Sequence, residues 1–557
     1  MSERDEEQVD KGLRRSVLWA AVLVALVAAA ALLYHLLGGA GRLTGDYIVD
    51  QRPELLTYPE LVTLSDTPRD ELEPTLRRRL DDLLTTPFVN NEAYYDGARP
   101  HRPVEAGLGP TLRVVSWNIE RGLKLDLIRS ALAGGDDFLE NIDPDDDDLD
   151  IDAQKRREIE RELHLLQTAD VLVLQELDWG VKRTEYRAVV EELARATRMN
   201  WAYGVEFLEV DPFMLGIEKF PGADEDDRAE LQRRSAVDEQ RYKGLHGTAV
   251  LSRYPIANAR LLPLKHQGYD WFSGERDSVS TIEEVKRDAT EGVFHTTITR
   301  EIRRGGRTLL LVDIDVDSVP EGRLSIAAAH LESRTGPSER QAQLKEVLGY
   351  LHDIRNPVVL AGDMNTSGED GTPTSWKREI YQRVGDEEFW ARTALKYFSG
   401  VGIAFDAVVA GVGVARRAND PTVEDIPVLS PNEAEGFFDL LENFRFADGY
   451  AFDFRGDEEH SVNGNEGTLA NSNHRDAKGF AVTFEVERTV GPAGKMKLDW
   501  IFVKAYATDP RDESASYRFA PNRGRTMEEI NYCVDGRMSD HSPISVDLPL
   551  PQSERES

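Results

Sequence analysis

The run Val171-Leu172-Val173-Leu174-Gln175-Glu176 constrains the fold most, because four consecutive apolar residues leave no face of a strand for water. Such a strand belongs in a sheet covered on both sides, and the carboxylate of Glu176 marks its end. Other segments repeat the construction. Pro357-Val358-Val359-Leu360-Ala361 runs into Gly362-Asp363-Met364-Asn365, and Leu112 to Glu120 delivers Asn118 and Glu120 on one strand face. Leu324 to Leu331 carries His330 late in a strand, Lys497 to Val503 carries Asp499, and Ser539-Asp540-His541-Ser542-Pro543 follows. Side chains two apart on extended backbone point the same way, so Asp363 and Asn365 present a carboxylate and a carboxamide side by side. Apolar strands alternate with helical stretches such as 153–166 and 340–352, which indicates an α/β layered architecture.

Each polar strand end also has a bland explanation. Asp363-x-Asn365 can be an Asx turn, Asn118 can close a turn, and Glu176 can be a solvated strand end. His330 can be a core histidine bonded to a carbonyl, Asp499 can pair with Lys497, and Asp540-His541 can be a turn before Pro543. Glu120 is explained as well by a contact to Arg121 or Arg113. The functional reading gains from the company these groups keep, since polar groups ending buried strands are costly unless paired with each other, a metal or water.

The ordered set resembles the endonuclease/exonuclease/phosphatase family, with its deoxyribonuclease-I-like fold. The matching pieces are Ser116-Trp117-Asn118-Ile119, Leu174-Gln175-Glu176, Gly247 to Ile256, Ala329-His330-Leu331, Gly362 to Asn365, Leu498 to Phe502 and Ser539 to Pro543. They span the chain from about Thr111 to Leu550, so the resemblance implies a catalytic domain over 111–550. It implies a four-layer α/β sandwich of two facing mixed sheets flanked by helices. It also implies site roles: Glu176 as the carboxylate holding a divalent cation with Asn118 beside it, and Asp540 as a second carboxylate on the metal side. Asp363 and Asn365 resemble the pair orienting the attacking water and the phosphate, and His541 resembles the essential imidazole with Asp499 fixing its tautomer. His330 resembles the histidine that meets a phosphate oxygen. Either Asp363 or His541 can be assigned as the base. Oxygen ligation without a Cys/His ligand cluster points to Mg²⁺ or Mn²⁺ and away from zinc.

Residues 17–37 are almost wholly apolar and, as a helix, span roughly 30 Å, the thickness of a bilayer core. A cleaved signal has a shorter apolar core, so a retained transmembrane helix is expected. Arg4, Lys11, Arg14 and Arg15 precede the span while Arg42 and Arg52 follow it. That bias places the tail 1–16 in the cytoplasm and the catalytic domain outside. Residues 38–110 read as a charged linker arm, in which Leu72, Leu76, Leu80 and Leu83 predict a short amphipathic helix packed on the domain or on lipid, the domain being favoured. The run Asp145 to Asp148 reads as a solvated loop, and 224–240 as a surface excursion. The longest insertion, 366–493, brings Arg455, His474, Arg475 and Lys478, of which His474 and Arg475 are candidate substrate-binding residues by position.

The formal charge is −34, from 67 basic and 101 acidic residues. A field of that sign repels polyanions, so nucleic acid is a disfavoured partner. The lone cysteine, Cys533, forbids an internal disulfide. The expectation is a membrane-anchored, divalent-cation-dependent phosphoester hydrolase acting on a small or lipid-borne phosphodiester or phosphomonoester. The alternatives are a membrane-tethered endonuclease and a non-catalytic tethered binding module.

Overall fold

Parallel strands cannot be joined by a tight turn, and the two parallel pairs among the described residues are each bridged by helix. The computed structural model describes residues 42–44, 47–134, 138–139, 142, 151–219, 225–277, 301–366, 435–453, 483–490, 493–507, 509–512, 517–534 and 537–550. The expected membrane span, the tail before it, the run Asp145 to Asp148 and the candidates His474 and Arg475 lie outside the described residues. Among the described residues, no helix is long and apolar enough to cross a membrane.

Two mixed sheets carry the fold. The larger has eleven strands, in the order Arg42–Thr44 (β1), Tyr47–Gln51 (β2), Phe88–Asn90 (β3), Asn200–Glu209 (β7), Leu245–Ser252 (β8), Val171–Trp179 (β6), Gly109–Asn118 (β5), Ile544–Pro549 (β18) and Asn522–Thr526 (β17). Val104–Glu105 (β4) pairs with β5, and Arg303–Gly305 (β10) with β7. The smaller sheet runs Asp499–Lys504 (β16), Val358–Asp363 (β13), Arg323–Ala329 (β12), Thr308–Asp315 (β11) and Ile256–Pro263 (β9). Phe484–Val490 (β14) and Ala493–Met496 (β15) form a separate hairpin. β5 lies parallel to β6, with Val114 beside Val171, after a crossover through helices Leu125–Ala133 and Ala153–Gln167. β12 lies parallel to β13, with Ser325 beside Val358, after helix Pro337–Leu351.

The apolar run in β6 is covered on both faces, as its sequence requires. Val171 and Val173 join Val114, Ile326, Val359, Ile501 and Val546 in a core shared by the two sheets. Leu172 and Leu174 point the other way, into a core with Ile128, Leu163 and Leu193 of the flanking helices. The outer face of the smaller sheet is covered in turn, where Leu360 and Phe502 meet Leu344, Val347 and Phe437.

The expectation of a linker arm over 38–110 fails from Tyr47 onward. β2 and β3 extend the larger sheet, with Phe88 opposite Tyr203. Helix Pro74–Thr85 buries Leu76, Leu80, Leu83 and Leu84 in the core of the larger sheet, so it packs on protein. At about 1.5 to 3 kcal/mol for each fully buried leucine, that face holds the segment to the sheet. Its first turn has Pro74 at the start and the Glu73 carboxylate accepting from the Thr75 and Leu76 amides, which stops the helix from extending backward.

Strand direction collects the polar ends. β5 finishes at Asn118, β12 at Ala329 next to His330, and β13 at Asp363, while β16 starts at Asp499 directly opposite Asp363. His541 enters just before β18, which pairs with β5. Gly362 makes the join possible. Its φ is +142°, and a Cβ there would lie 1.9 Å from the Ala329 carbonyl oxygen.

Candidate active site

Backbone strain concentrates where these strands end. Glu120 (φ 47°), Arg121 (φ 64°) and Gly122 (φ 79°) are three successive left-handed residues after β5, and Glu176 (φ 57°) and Asn365 (φ 46°) share that region. Non-glycine residues adopt it at a cost of order 1 to 3 kcal/mol each, and such residues cluster at functional sites. In β6 the strain coincides with a bulge between Leu174 and Leu177 opposite β8, which lifts Glu176 out of the ladder.

Asp363 lies at the centre. Its Oδ1 accepts the Asn365 amide at 2.8 Å, its Oδ2 accepts the Asn118 amide Nδ2 at 3.2 Å, and its backbone carbonyl accepts from Leu331 N at 3.0 Å. The same Oδ2 stands 3.6 Å from Nε2 of both His330 and His541. Asn118 Nδ2 also reaches Glu176 Oε1 at 3.3 Å, so one carboxamide ties two carboxylates together. His541 Nδ1 meets Asp499 Oδ2 at 2.7 Å, and its ring packs on Phe484 at 4.9 Å between centroids. Asn365 Nδ2 donates to the Leu331 carbonyl at 2.9 Å, which locks the loop after His330 to the loop after Asp363.

The electrostatics divide these groups into distinct states. Burial, reinforced by Asp499, pushes the Asp363 carboxyl up to about 7, against the opposing pull of His541, the Asn365 amide and Asn118. Burial alone would keep His541 neutral, but Asp499, Asp363 and Asp540 hold it protonated well above the usual imidazole range. His330 goes the other way: burial, then the charges of Arg307, His246 and His541, depress it far below that range. Glu176 falls below the ordinary carboxylate value despite burial, because Arg121, His246, His541 and the Asn118 amide favour its charge. Two imidazoles 3.6 Å from one carboxylate oxygen therefore carry different protonation states.

Two sets of groups offer cation ligands. Asp363, Asp499 and His541 each present one ligand atom, all within 4.8 Å of one another. Glu176, Asp540 and Glu120 form a second acidic neighbourhood. Burial and the Asp540 charge push Glu120 up to about 7, and burial with the Glu176 charge raises Asp540. Crowded acids whose charges oppose each other are what a hard cation on oxygen ligands relieves. Among the described residues the first set alone has that spacing, with His541 and Asp499 already hydrogen-bonded to each other, whereas Glu176, Asp540 and Glu120 would have to draw together around a cation.

The structure thus gathers Asn118, Glu176, His330, Asp363, Asn365, Asp499 and His541 at one end of the two sheets, with Asp540 sensing Glu176. Asp499 turns from Lys497, whose ammonium lies over the Trp500 ring at 3.9 Å. Glu120 forms no ion pair with Arg113 or Arg121 and accepts the Asp540 amide at 3.2 Å. Arg113 pairs with Asp547 and Glu105.

Sequence reasoning missed the layer beneath. Glu206 Oε2 stands 3.8 Å from His330 Nδ1, and Glu206 is held by Arg307 at 2.9 Å and by the Thr248 hydroxyl. Arg307 continues to Glu332 at 3.2 Å, which also accepts the Trp271 indole at 2.9 Å. A third buried imidazole, His246, meets Asp178 at 2.9 Å, and Arg183 grips the same carboxylate. The one local signal was the polar content of Gly204 to Val210, where Glu206 and Glu209 interrupt an otherwise apolar strand.

A family model described as Endonuclease/Exonuclease/phosphatase family matches residues 115–541. No curated protein matches the sequence. Solved structures with similarity include an endonuclease/exonuclease/phosphatase from Beutenbergia cavernae, 17% identical, covering 80% of this chain and 72% of that one at a TM-score of 0.33. The human Nocturnin catalytic domain, solved with a bound sulfate anion, is 13% identical over 79% of this chain and 94% of its own, at 0.31. D. rerio TDP2, complexed with single strand DNA product, is 15% identical over 79% and 98%, at 0.31. The assignment rests on the family match, which runs from Val115 in β5 to His541 and encloses every residue of the site: the chain belongs to the endonuclease/exonuclease/phosphatase family.

Proposed function

We propose that this chain is a divalent-cation-dependent phosphoester hydrolase, built as a four-layer sandwich, that acts on a small or lipid-borne phosphoester. The observation that supports it most is the convergence on Asp363 Oδ2 of one amide and two imidazoles, one favoured as charged by its carboxylate neighbours and the other favoured as neutral by burial. A binding module gains nothing from holding a carboxyl near neutrality beside a charged imidazole. General acid–base chemistry requires that pairing.

Glu176, Asp540 and Asn118 are the groups that would hold the cation, which when bound offsets the negative charge of the phosphoester. Asp363, with its carboxyl near 7, takes the proton of the attacking water. His541, kept charged by Asp499, donates to a phosphate oxygen as negative charge builds there. His330, kept neutral by burial, orients a second phosphate oxygen. Asn118 keeps Glu176 and Asp363 at a fixed separation.

The apolar span 17–37 is read as a membrane anchor with the catalytic domain outside the cytoplasm. Protease treatment of intact cells tests it, since cleavage of the domain only after lysis would reverse that topology. Activity is tested by a panel of nucleic acids, phospholipids and inositol phosphates with Mg²⁺, run on the native chain and on His541→Ala. Hydrolysis of a phospholipid or inositol phosphate, lost in the variant, is expected. Cleavage of supercoiled plasmid alone would favour a tethered endonuclease.

A further inference from the structure

Arg121 stands apart from the other arginines around the site. Arg113, Arg183, Arg303 and Arg307 are structural: their side chains are 1%, 10%, 5% and 4% exposed, and each engages at least two carboxylates. Arg121 is 32% exposed and has one carboxylate partner, Glu301, at 2.7 Å. Its Nε, like that of Arg303, is buried without a hydrogen-bond partner. Its backbone is left-handed, between two more left-handed residues, in the turn that leaves Asn118. The turn thus holds a partly exposed arginine side chain three residues from Asn118. Glu120, its neighbour in the same turn, accepts the Asp540 amide at 3.2 Å, so the turn borders the proposed cation site.

A structural role does not require that exposure. An arginine serving only Glu301 would be enclosed, as Arg303 is beside the same carboxylate. A chain of net charge −34 also repels an anionic substrate at long range, so attraction must come from local cations at the site. Glu301 engages Nη2 and Nε is buried, which leaves Nη1 for an anion.

We propose that Arg121 is a substrate-binding residue whose guanidinium takes a second anionic group of the substrate, beside the scissile phosphate, and that Glu301 aims it. This deepens the hydrolase reading and rests on it. The substrate class is an organic phosphate bearing a second anionic group a few atoms from the scissile phosphate.

The test is calorimetric binding of glycerol 3-phosphate and glycerol 1,3-bisphosphate to the full chain carrying Asp363→Asn. Turnover then plays no part. The bisphosphate is expected to bind about 10- to 100-fold tighter, the worth of one charge-assisted contact. Adding Arg121→Gln is expected to remove that preference and leave monophosphate affinity unchanged, while Arg121→Lys keeps part of it and Glu301→Gln weakens it. An equal affinity for both ligands before the Arg121 change, a preference that survives Arg121→Gln, or an equal loss on both ligands would overturn the proposal. Failure of the hydrolase reading shows separately, as absence of turnover by the chain with Asp363 intact.

Discussion

Asp499 and His541 meet at 2.7 Å, Oδ2 to Nδ1, across 42 positions of sequence, and both side chains are almost wholly buried. The contact joins the first residue of β16 to the segment that precedes β18, so each sheet supplies one half of the pair. It fixes which imidazole nitrogen faces Asp363, because Nδ1 is occupied and Nε2 is left 3.6 Å from Asp363 Oδ2.

Asp499→Asn is expected to lower kcat by about 10² to 10⁴ with the fold retained. Asp499 raises His541, so its loss lets that imidazole deprotonate at lower pH. The alkaline limb of the pH–rate profile therefore moves toward acid. A profile that only scales down, without shifting, would remove Asp499 from this role.

Asn118→Ala removes the donor shared by Glu176 and Asp363. A kcat reduced by about 10² to 10³ is expected, with Mg²⁺ affinity weakened about 10- to 100-fold. Steady-state rates across a Mg²⁺ titration measure both, and an unchanged Mg²⁺ midpoint would place the cation elsewhere.

Gly362→Ala puts a Cβ 1.9 Å from the Ala329 oxygen at φ +142°. The strands bearing His330 and Asp363 must separate to admit it, at a cost of about 3 kcal/mol or more. Urea unfolding measures the loss. A midpoint equal to that of the native chain would show that the two strand ends are looser than drawn here.

Glu162, in the helix Ala153–Gln167, accepts the Ile530 amide at 2.7 Å, and burial pushes its carboxyl up to about 8. An acid raised on folding favours the protonated state, so its contribution is full below about pH 4.5 and is lost as pH rises through about 8. Glu162→Gln keeps an acceptor for Ile530 and cannot ionise. Its Tm is expected to exceed the native value by a margin that grows from about pH 5 to pH 8 and then levels. A constant margin would mean that Glu162 titrates normally.

What could be read from the sequence followed from short-range geometry. The apolar run before Glu176 demanded a doubly covered sheet, whereas Asp363 and Asn365 do not share a strand face: β13 ends at Asp363, Asn365 is left-handed, and its backbone amide donates to Asp363 Oδ1 as in an Asx turn. The missed groups lack such a signal. Glu206 and Arg307 are separated by 101 positions, and their ion pair exists only because β7 and the turn before β11 meet in space. β3 is three residues long, too short to show a period, and so the stretch around it reads as a linker although its neighbours complete the larger sheet. Arg121 was legible as a residue but not as an exposed one, since its left-handed backbone is set by the turn after β5.

The most direct measurement is phosphate or phosphoester product release by the full chain, with Mg²⁺ and with chelator, set beside Asp363→Asn and His541→Ala of equal thermal stability. The account predicts turnover of at least one phosphoester that chelator abolishes, and losses of about 10² or more in each variant. Turnover that survives chelator, or variants as active as the native chain, would contradict it.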